Sequence, residues 1–261
     1  MYLDKIVANK QSDPAFEDGK NTDWDRLLDE GEHPSQRDFC KSLRNAPPGR
    51  PSIIAEMKRA SPSKGSFEFD GQVSDQVARY ERGGARAVSV LTNGPYFQGH
   101  LQDLQSARKG TTLPLLRKDF LTENWEIPQA KYHGADAILL IAAILTDGQI
   151  EKMIEKAEAC ELQVLLEIHD QTELDRTLGL NRSPHAVGIN NRNLQTFEVS
   201  LDTTARLAQG LPKEICRVSE SGFATRSDLQ RFEGIVDAFL IGESLMRSQD
   251  PEVTLRGWVK G

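Results

Sequence analysis

The chain has 261 residues, 38% of them hydrophobic and 27% charged, a balance that suits a soluble globular protein with a sizeable core. Its formal net charge of −7, from 32 basic and 39 acidic residues, argues against a nucleic-acid binder while leaving room for a small anionic substrate. No apolar run approaches the roughly 18 residues needed to cross a bilayer, and the odd, scattered Cys40, Cys160 and Cys216 suggest neither a disulfide framework nor a metal site.

The N-terminus, Met1 to Val7, breaks its apolar pattern with charges at once and lacks the apolar core of a signal peptide, so a cytoplasmic location is expected. Residues 1–50 read as helical and charged, in the stretches Tyr2–Lys10, Trp24–Glu30 and Gln36–Arg44, and Pro47-Pro48-Gly49 ends them sharply. From residue 52 the pattern changes. Short apolar runs appear at Ser52–Glu56, Ala87–Leu91, Leu113–Arg117, Ala137–Ile141, Gln163–Glu167, Ala186–Asn190, Ile215–Ser219 and Val236–Ile241. They do not alternate apolar with polar, as expected for parallel strands covered on both faces.

Amphipathic segments lie between these runs. The clearest follows Thr146, a candidate N-cap, with Ile150, Met153, Ile154 and Ala157 at helical spacing. Thr225 with Asp228 three residues on is a second helix start. Eight strands, each followed by a helix, predict an α/β fold of the (β/α)8 barrel type. Residues 1–261 then form a single domain, with 1–50 as an N-terminal helical extension. A doubly wound open sheet is the alternative, but no G-x-G-x-x-G follows the first strand.

In a (β/α)8 barrel the active site lies at the C-terminal ends of the strands. Here those ends are unusually charged: Glu56 with Lys58 after the first, Arg117-Lys118-Asp119 after the third and Glu167 after the fifth. Asn190-Asn191-Arg192 follows the sixth strand, Ser219-Glu220-Ser221-Gly222 ends the seventh, and Gly242-Glu243-Ser244 follows the eighth. Taken singly, such charges are often solvated strand ends. Gathered at one mouth, two lysines and three glutamates shift one another's pKa values and can serve as acids and bases. Gly222 and Gly242 follow strands seven and eight, where barrels usually bind phosphate through backbone N–H groups. The long basic loop Lys58–Phe67 reads as a lid over an anionic substrate. Of His33, His100, His133, His169 and His185, only His169 falls near this site, and a surface or structural role is the default reading for it.

The stretch Ile54-Ala55-Glu56-Met57-Lys58-Arg59-Ala60-Ser61-Pro62-Ser63-Lys64-Gly65 resembles the signature of indole-3-glycerol phosphate synthases. So do Ser89–Thr92 with Tyr96–Gly99, Leu116–Phe120, Gly188–Leu194, Ser219–Gly222 and Leu240–Met246, in family order over nearly the whole chain. The resemblance implies a carboxy-lyase of tryptophan biosynthesis. Its substrate would be 1-(2-carboxyphenylamino)-1-deoxyribulose 5-phosphate, which it would close, decarboxylate and dehydrate to indole-3-glycerol phosphate, with no metal or organic cofactor. It implies Lys118 as general acid, Glu167 as partner acid/base, Lys58 as a cation for substrate anions, Glu56 as its orienting group, and Asn190 and Glu220 as holders of substrate hydroxyls. Ser61, Ser221, Gly222, Gly242 and Glu243 would border the phosphate, Arg192 would contact substrate, and Phe97, Leu140 and Leu240 would line an aromatic pocket.

Some positions depart from that pattern: Asn93 stands in place of an acidic residue, Gly71 in place of a proline, Phe223 in place of a smaller aliphatic, and Pro128 lies where the third helix should be under way. A sugar-phosphate isomerase barrel is disfavoured, because the first strand ends in Glu56 and Lys58. A non-catalytic or repurposed phosphate-binding barrel is the alternative, and it should have lost Lys118 or Glu167. The expected partner is a phosphorylated small molecule, with no nucleic acid or membrane. The oligomeric state stays open, with a monomer as the default.

Overall fold

Eight parallel strands close into a barrel: β1 Ile53–Met57, β2 Ala87–Leu91, β3 Leu115–Lys118, β4 Ala137–Ile141, β5 Gln163–Ile168, β6 Ala186–Asn190, β7 Cys216–Glu220 and β8 Ala238–Ile241. The structure is a computed structural model and describes residues 2–31, 36–61, 65–67, 71–194 and 196–260. Ile54 pairs with Leu240 on one side and Ala87 on the other, so β1 joins β8 to β2 and no strand edge is left open. The outer helices are α5 Val73–Gly83, α6 Leu101–Gly110, α7 Glu126–Tyr132, α8 Asp147–Ala159, α9 Gln171–Gly179, α10 Asp202–Leu207, α11 Arg226–Gln230 and α12 Pro251–Lys260.

All eight expected strands are present, three at the expected bounds and five with an end displaced by one or two residues. The displacement has a physical cause at β3, where Pro114 has no N–H to give the ladder and contributes only its carbonyl, to Val88 N. The strand therefore begins at Leu115 and runs on through Lys118, and β7 likewise runs on through Glu220. Both charged groups thus belong to the barrel wall and not to the loops that follow it. Thr146 and Thr225 cap α8 and α11 through reciprocal bonds with Gln149 and Asp228. Helix α7 starts at Glu126, so Pro128 falls in its first turn, where its missing N–H costs nothing.

Side chains alternate along each strand, and two apolar cores result. One set (Ile53, Ala55, Val88, Val90, Leu115, Leu140, Val164, Leu166 among others) packs outward against the helices. The other (Ile54, Ala87, Leu116, Ala137, Leu139, Leu165, Ala186, Val218, Ala238, Leu240) fills the barrel.

The N-terminal region holds four helices, α1 Tyr2–Gln11, α2 Pro14–Lys20, α3 Trp24–Glu30 and α4 Phe39–Arg44. Helix α2 was not expected, although Asp13 caps it and Pro14 opens it, a recognised start signal. Helix α4 begins at Phe39, later than the expected Gln36, because Asp38 caps it by accepting from Lys41 N. His33 lies outside the described residues.

Helix α4 is part of the barrel's interior. Phe39 and Leu43 are fully buried and join the inner core, and the helix is tied to the strand starts. Cys40 N donates to Gln163 Oε1, and the Ser42 hydroxyl to the carbonyl of Arg86. It thus plugs the N-terminal end of the barrel. Cutting Leu43 to Ala in that plug is predicted to destabilise the protein by about 3 kcal/mol in urea unfolding. A loss near zero would show that the helix only rests on the surface.

Candidate active site

Period-two alternation decides which strand-end charges reach the mouth of the barrel. Glu56 and Lys58 share the inward parity of Ile54, Lys118 that of Leu116, and Glu167 that of Leu165. Asn190, Glu220 and Gly242 follow Ala186, Val218 and Leu240 in the same way. Arg117 and Asp119, read from sequence together with Lys118, have the opposite parity and point into the helix layer. There Arg117 donates to the Glu126 carbonyl, Gln129 Oε1 and Asp119, and Asp119 accepts from the Thr92 hydroxyl. Lys10, from α1, reaches the same cluster, 3.4 Å from Asp119 and hydrogen-bonded to the Phe120 carbonyl. Burial alone would raise the Asp119 carboxyl, but Lys10 and Arg117 outweigh it and hold the group down at about 2. The result is a fixed ionic collar behind Lys118.

On the inner side, Lys118 Nζ lies 3.2 Å from Glu167 Oε2 and 3.4 Å from Glu220 Oε2. Asn190 donates to Glu167 Oε1 at 3.1 Å, and Lys58 donates to Glu56 Oε1 at 2.7 Å. All of these carboxyls are at least nine-tenths buried. Burial disfavours the Lys118 ammonium, but the acidic side chains around it, Glu167 foremost, outweigh it and hold the lysine well above its ordinary range. Glu167 is buried too, yet Lys118, His169 and Asn190 hold it below the usual carboxylate range.

Glu220 goes the other way. Burial, with Glu167 and Glu56 nearby, overcomes the attraction of Lys118 and pushes it up to about 8. Its Oε1 has no hydrogen-bond partner. This balance favours the protonated form of Glu220 near neutral pH, beside the Lys118 ammonium and the Glu167 carboxylate. This differentiation of two carboxyls by their surroundings is what acid–base work requires.

These groups face a cavity of about 720 Å³ at the C-terminal end of the barrel. All six candidate catalytic residues line it, as do Ser61, Phe97, Arg192, Ser221, Gly222, Leu240, Gly242 and Glu243. Ser221 and Gly222 both have positive φ, 67° and 91°, which turns the chain sharply after β7. Asn191 holds that turn by donating to the carbonyls of Glu220 and Ser221. A Cβ at Gly242 would lie 2.2 Å from Glu56 Oε1, and one at Gly188 would lie 2.1 Å from Glu220 Oε1. Both glycines thus leave room for the carboxyls beside them. Past β1, Ala60–Ser61 and Gly65–Ser66 form a short antiparallel ladder, while Pro62, Ser63 and Lys64 of the expected lid lie outside the described residues. Phe67, at the lid's far end, is buried with Lys58 and Arg247 at 5.7 and 5.5 Å from its ring centre.

The apolar wall needs one correction. Leu140 faces the outer core, and the cavity is lined by its neighbours Leu139 and Ile141 together with Leu240. Counting the alternation inward from Ala137 would have assigned it. Leu3 and Ile6 of α1, Phe120, Leu194, Phe197, Val199 and Arg247 also line the cavity and were missed. Phe120 was visible in sequence only as the residue after Asp119, and its ring lies 6.0 Å from that of Phe97. Leu3 and Ile6 reach the site only through tertiary packing.

A sequence model of the indole-3-glycerol phosphate synthase family matches residues 3–257. The chain belongs to that family. Among the relatives named indole-3-glycerol phosphate synthase, one from Azoarcus sp. (strain BH72) is 48% identical over 228 residues, 85% of each chain. One from Polaromonas naphthalenivorans (strain CJ2) is 46% identical over 84% of this chain and 83% of its own. One from Polaromonas sp. (strain JS666 / ATCC BAA-500) is 43% identical over 97% and 96%. Among solved structures, a thiamine phosphate pyrophosphorylase from Pyrococcus furiosus aligns with a TM-score of 0.61 at 13% identity, covering 85% of this chain and 96% of its own. That likeness concerns the fold alone.

As an indole-3-glycerol phosphate synthase, the chain is a carbon–carbon lyase of tryptophan biosynthesis acting on a phosphorylated small molecule. Among its described residues no helix is long and apolar enough to cross a membrane. Its departures from the family pattern have local explanations. Asn93 caps the turn Gly94–Phe97 that carries Phe97. Gly71 sits at φ 109°, a conformation closed to proline. Phe223 is buried edge-on against Phe232 and Phe239 in the outer core.

The raised Glu220 has a consequence for stability. Between the ordinary glutamate pKa near 4.3 and the folded value of about 8, the folded protein holds a proton that the unfolded chain has released. This group's contribution therefore falls as pH rises through that window. Glu220→Gln is predicted to gain in urea midpoint over the unaltered protein on going from pH 5 to pH 8. Parallel midpoints across that range would show that Glu220 is ionised throughout.

Proposed function

We propose that the cavity binds 1-(2-carboxyphenylamino)-1-deoxyribulose 5-phosphate and that Lys118 is the general acid of its ring closure. The observation that carries this is the placement of Lys118, charged and largely buried, between Glu167 and Glu220 in the cavity wall. When the aromatic carbon bearing the carboxylate attacks the ketone carbon, negative charge builds on the ketone oxygen. The Lys118 ammonium gives that oxygen a proton. An alkoxide is far more basic than an amine, so the transfer is downhill even though neighbouring carboxylates strengthen the lysine's hold. The carboxylate then leaves as carbon dioxide and its bonding electrons restore the aromatic ring. In the last step the new hydroxyl departs as water, taking one proton from an acid, while the ring methylene loses another.

Glu167, held as a carboxylate, is the base that accepts a proton in this exchange. Glu220, as a neutral acid, donates a hydrogen bond to a substrate hydroxyl, and Asn190 supports it. Lys58, oriented by Glu56, meets the substrate's anionic groups, with the backbone at Ser221, Gly222, Gly242 and Glu243 and the side chain of Ser61 bordering the phosphate. Arg192 faces the carboxylate end, and Phe97 with Leu240 receives the aromatic ring. In this reading residues 1–261 act as one unit, because α1 and α4 supply wall and plug to the same barrel, and the protein works as a monomer in the cytoplasm.

The test is fluorescence-detected formation of indole-3-glycerol phosphate by the unaltered protein and by Lys118→Ala. A loss of about 10²-fold or more is expected, the scale of one general acid. Full activity in the variant would remove Lys118 from the chemistry, and no product from the folded, unaltered protein would overturn the reading as a whole.

A further inference from the structure

His169 lies two residues beyond Glu167, outside the residues that line the cavity. Its Nε2 is 3.2 Å from Glu167 Oε1, an ion-pair distance without hydrogen-bond geometry. Its Nδ1 is 3.1 Å from Glu173 Oε2, and the same oxygen accepts from the His169 backbone N–H at 2.7 Å. Glu173 is fixed in turn, because it sits in the first turn of α9 and its N–H is capped by Asp170. The imidazole is therefore clamped between two carboxyls, one anchored in the helix and one reaching into the site, with its side chain only 12% exposed.

We propose that His169 is a positioning residue for the reaction, a cation that fixes the carboxylate of Glu167 from behind while Lys118 and Asn190 hold it from the front. The proposal rests on the reading of Glu167 as a proton-transferring group. Glu167 faces Lys118 from β3 at 3.2 Å, Asn190 from β6 at 3.1 Å and His169 at the end of its own strand at 3.2 Å. Glu220 from β7 and Glu56 from β1 reach it through the shared field of Lys118. Around His169 the charged groups are Glu167 and Glu173. Arg176, further along α9, is turned away to Asp147 and the carbonyls of Ala142 and Leu145. Burial works against a charged ring here, but Glu167 and Glu173 outweigh it and push His169 up to about 10.

A charged His169 changes what Glu167 can do when substrate arrives. Lys118 must turn toward the ketone oxygen to give up its proton, and for that moment its contact with Glu167 weakens. Without a second cation, the buried carboxylate would drift or take up a proton from solvent. With His169 in place, Glu167 keeps its charge and its direction through the step. The residues Glu167, His169, Asp170 and Glu173 thus work as one element, in which the helix cap fixes the outer carboxylate, that carboxylate fixes the imidazolium, and the imidazolium fixes Glu167.

The test is the pH dependence of kcat in His169→Gln, which keeps a polar side chain but loses the cation. The acid limb should move to higher pH by about 1–3 units, the effect of removing one close opposite charge. kcat should fall about tenfold, with KM changed by less than about threefold. Glu173→Gln, which touches neither Glu167 nor the cavity, should move the limb the same way by less. In the unaltered protein, the imidazole NMR signals of His169 should stay in the protonated form well past pH 7.

If the acid limb stays in place while kcat and thermal stability fall together, His169 only latches the loop between β5 and α9, and the proposal is wrong. A ring that titrates near the ordinary 6.5 would overturn it equally, and this measurement needs no variant to fold. Running Lys118→Ala alongside separates the two levels. An active Lys118→Ala removes the reading of the site itself, whereas an inactive one beside an unmoved limb removes His169 alone.

Discussion

Lys118 extends from β3 to within 3.2 Å of Glu167 and 3.4 Å of Glu220, so two buried carboxyls share one ammonium and differ in their other partners. Asn190 and His169 favour ionisation of Glu167, while Glu220 has an unpartnered oxygen and keeps its proton up to about pH 8. The roles proposed for Lys118 as acid, Glu167 as base and Glu220 as neutral hydrogen-bond donor rest on that imbalance. It also explains Gly188, since any larger residue there would collide with the Glu220 carboxyl and force it off Lys118.

The barrel supplies this arrangement through alternation alone. A strand presents every second residue inward, so Lys118 reaches the mouth while Arg117 and Asp119 on either side go into the helix layer. There they meet Lys10 of α1, and the helix that brings Leu3 and Ile6 to the cavity is thereby tied to the strand that carries Lys118. At the opposite end, α4 drives Phe39 and Leu43 into the interior. The N-terminal segment thus holds both ends of the barrel, a role that no strand-and-helix repeat would reveal.

The strands were legible because each is a short, mostly apolar run without period-two alternation, and the capped starts of α8 and α11 because Thr146 and Thr225 carry their own signals. The polar groups at the mouth were legible because buried strands seldom end in charge. Features that depend on direction or on distant neighbours were less visible. Leu140 was given to the cavity because its parity was not counted, and Leu139 and Ile141 take its place. Leu3 and Ile6 reach the cavity, and Lys10 the collar behind it, from more than 45 residues before the first strand's end, with no local mark of doing so. The separate states of Glu167 and Glu220 arise from which partners each meets in space, and two glutamates at two strand ends look alike in sequence. His169, read by default as surface or structural, is mostly buried and flanked by two carboxylates for the same reason.

The most direct measurement is isotope-edited infrared spectroscopy of carboxyl groups in the protein without substrate, titrated from pH 5 to pH 9. The account predicts one glutamic acid still protonated at pH 7, its carbonyl band fading around pH 8 and missing from Glu220→Gln. If no protonated carboxyl survives at pH 7, both glutamates beside Lys118 are ionised together, and the division of acid and base between them is wrong.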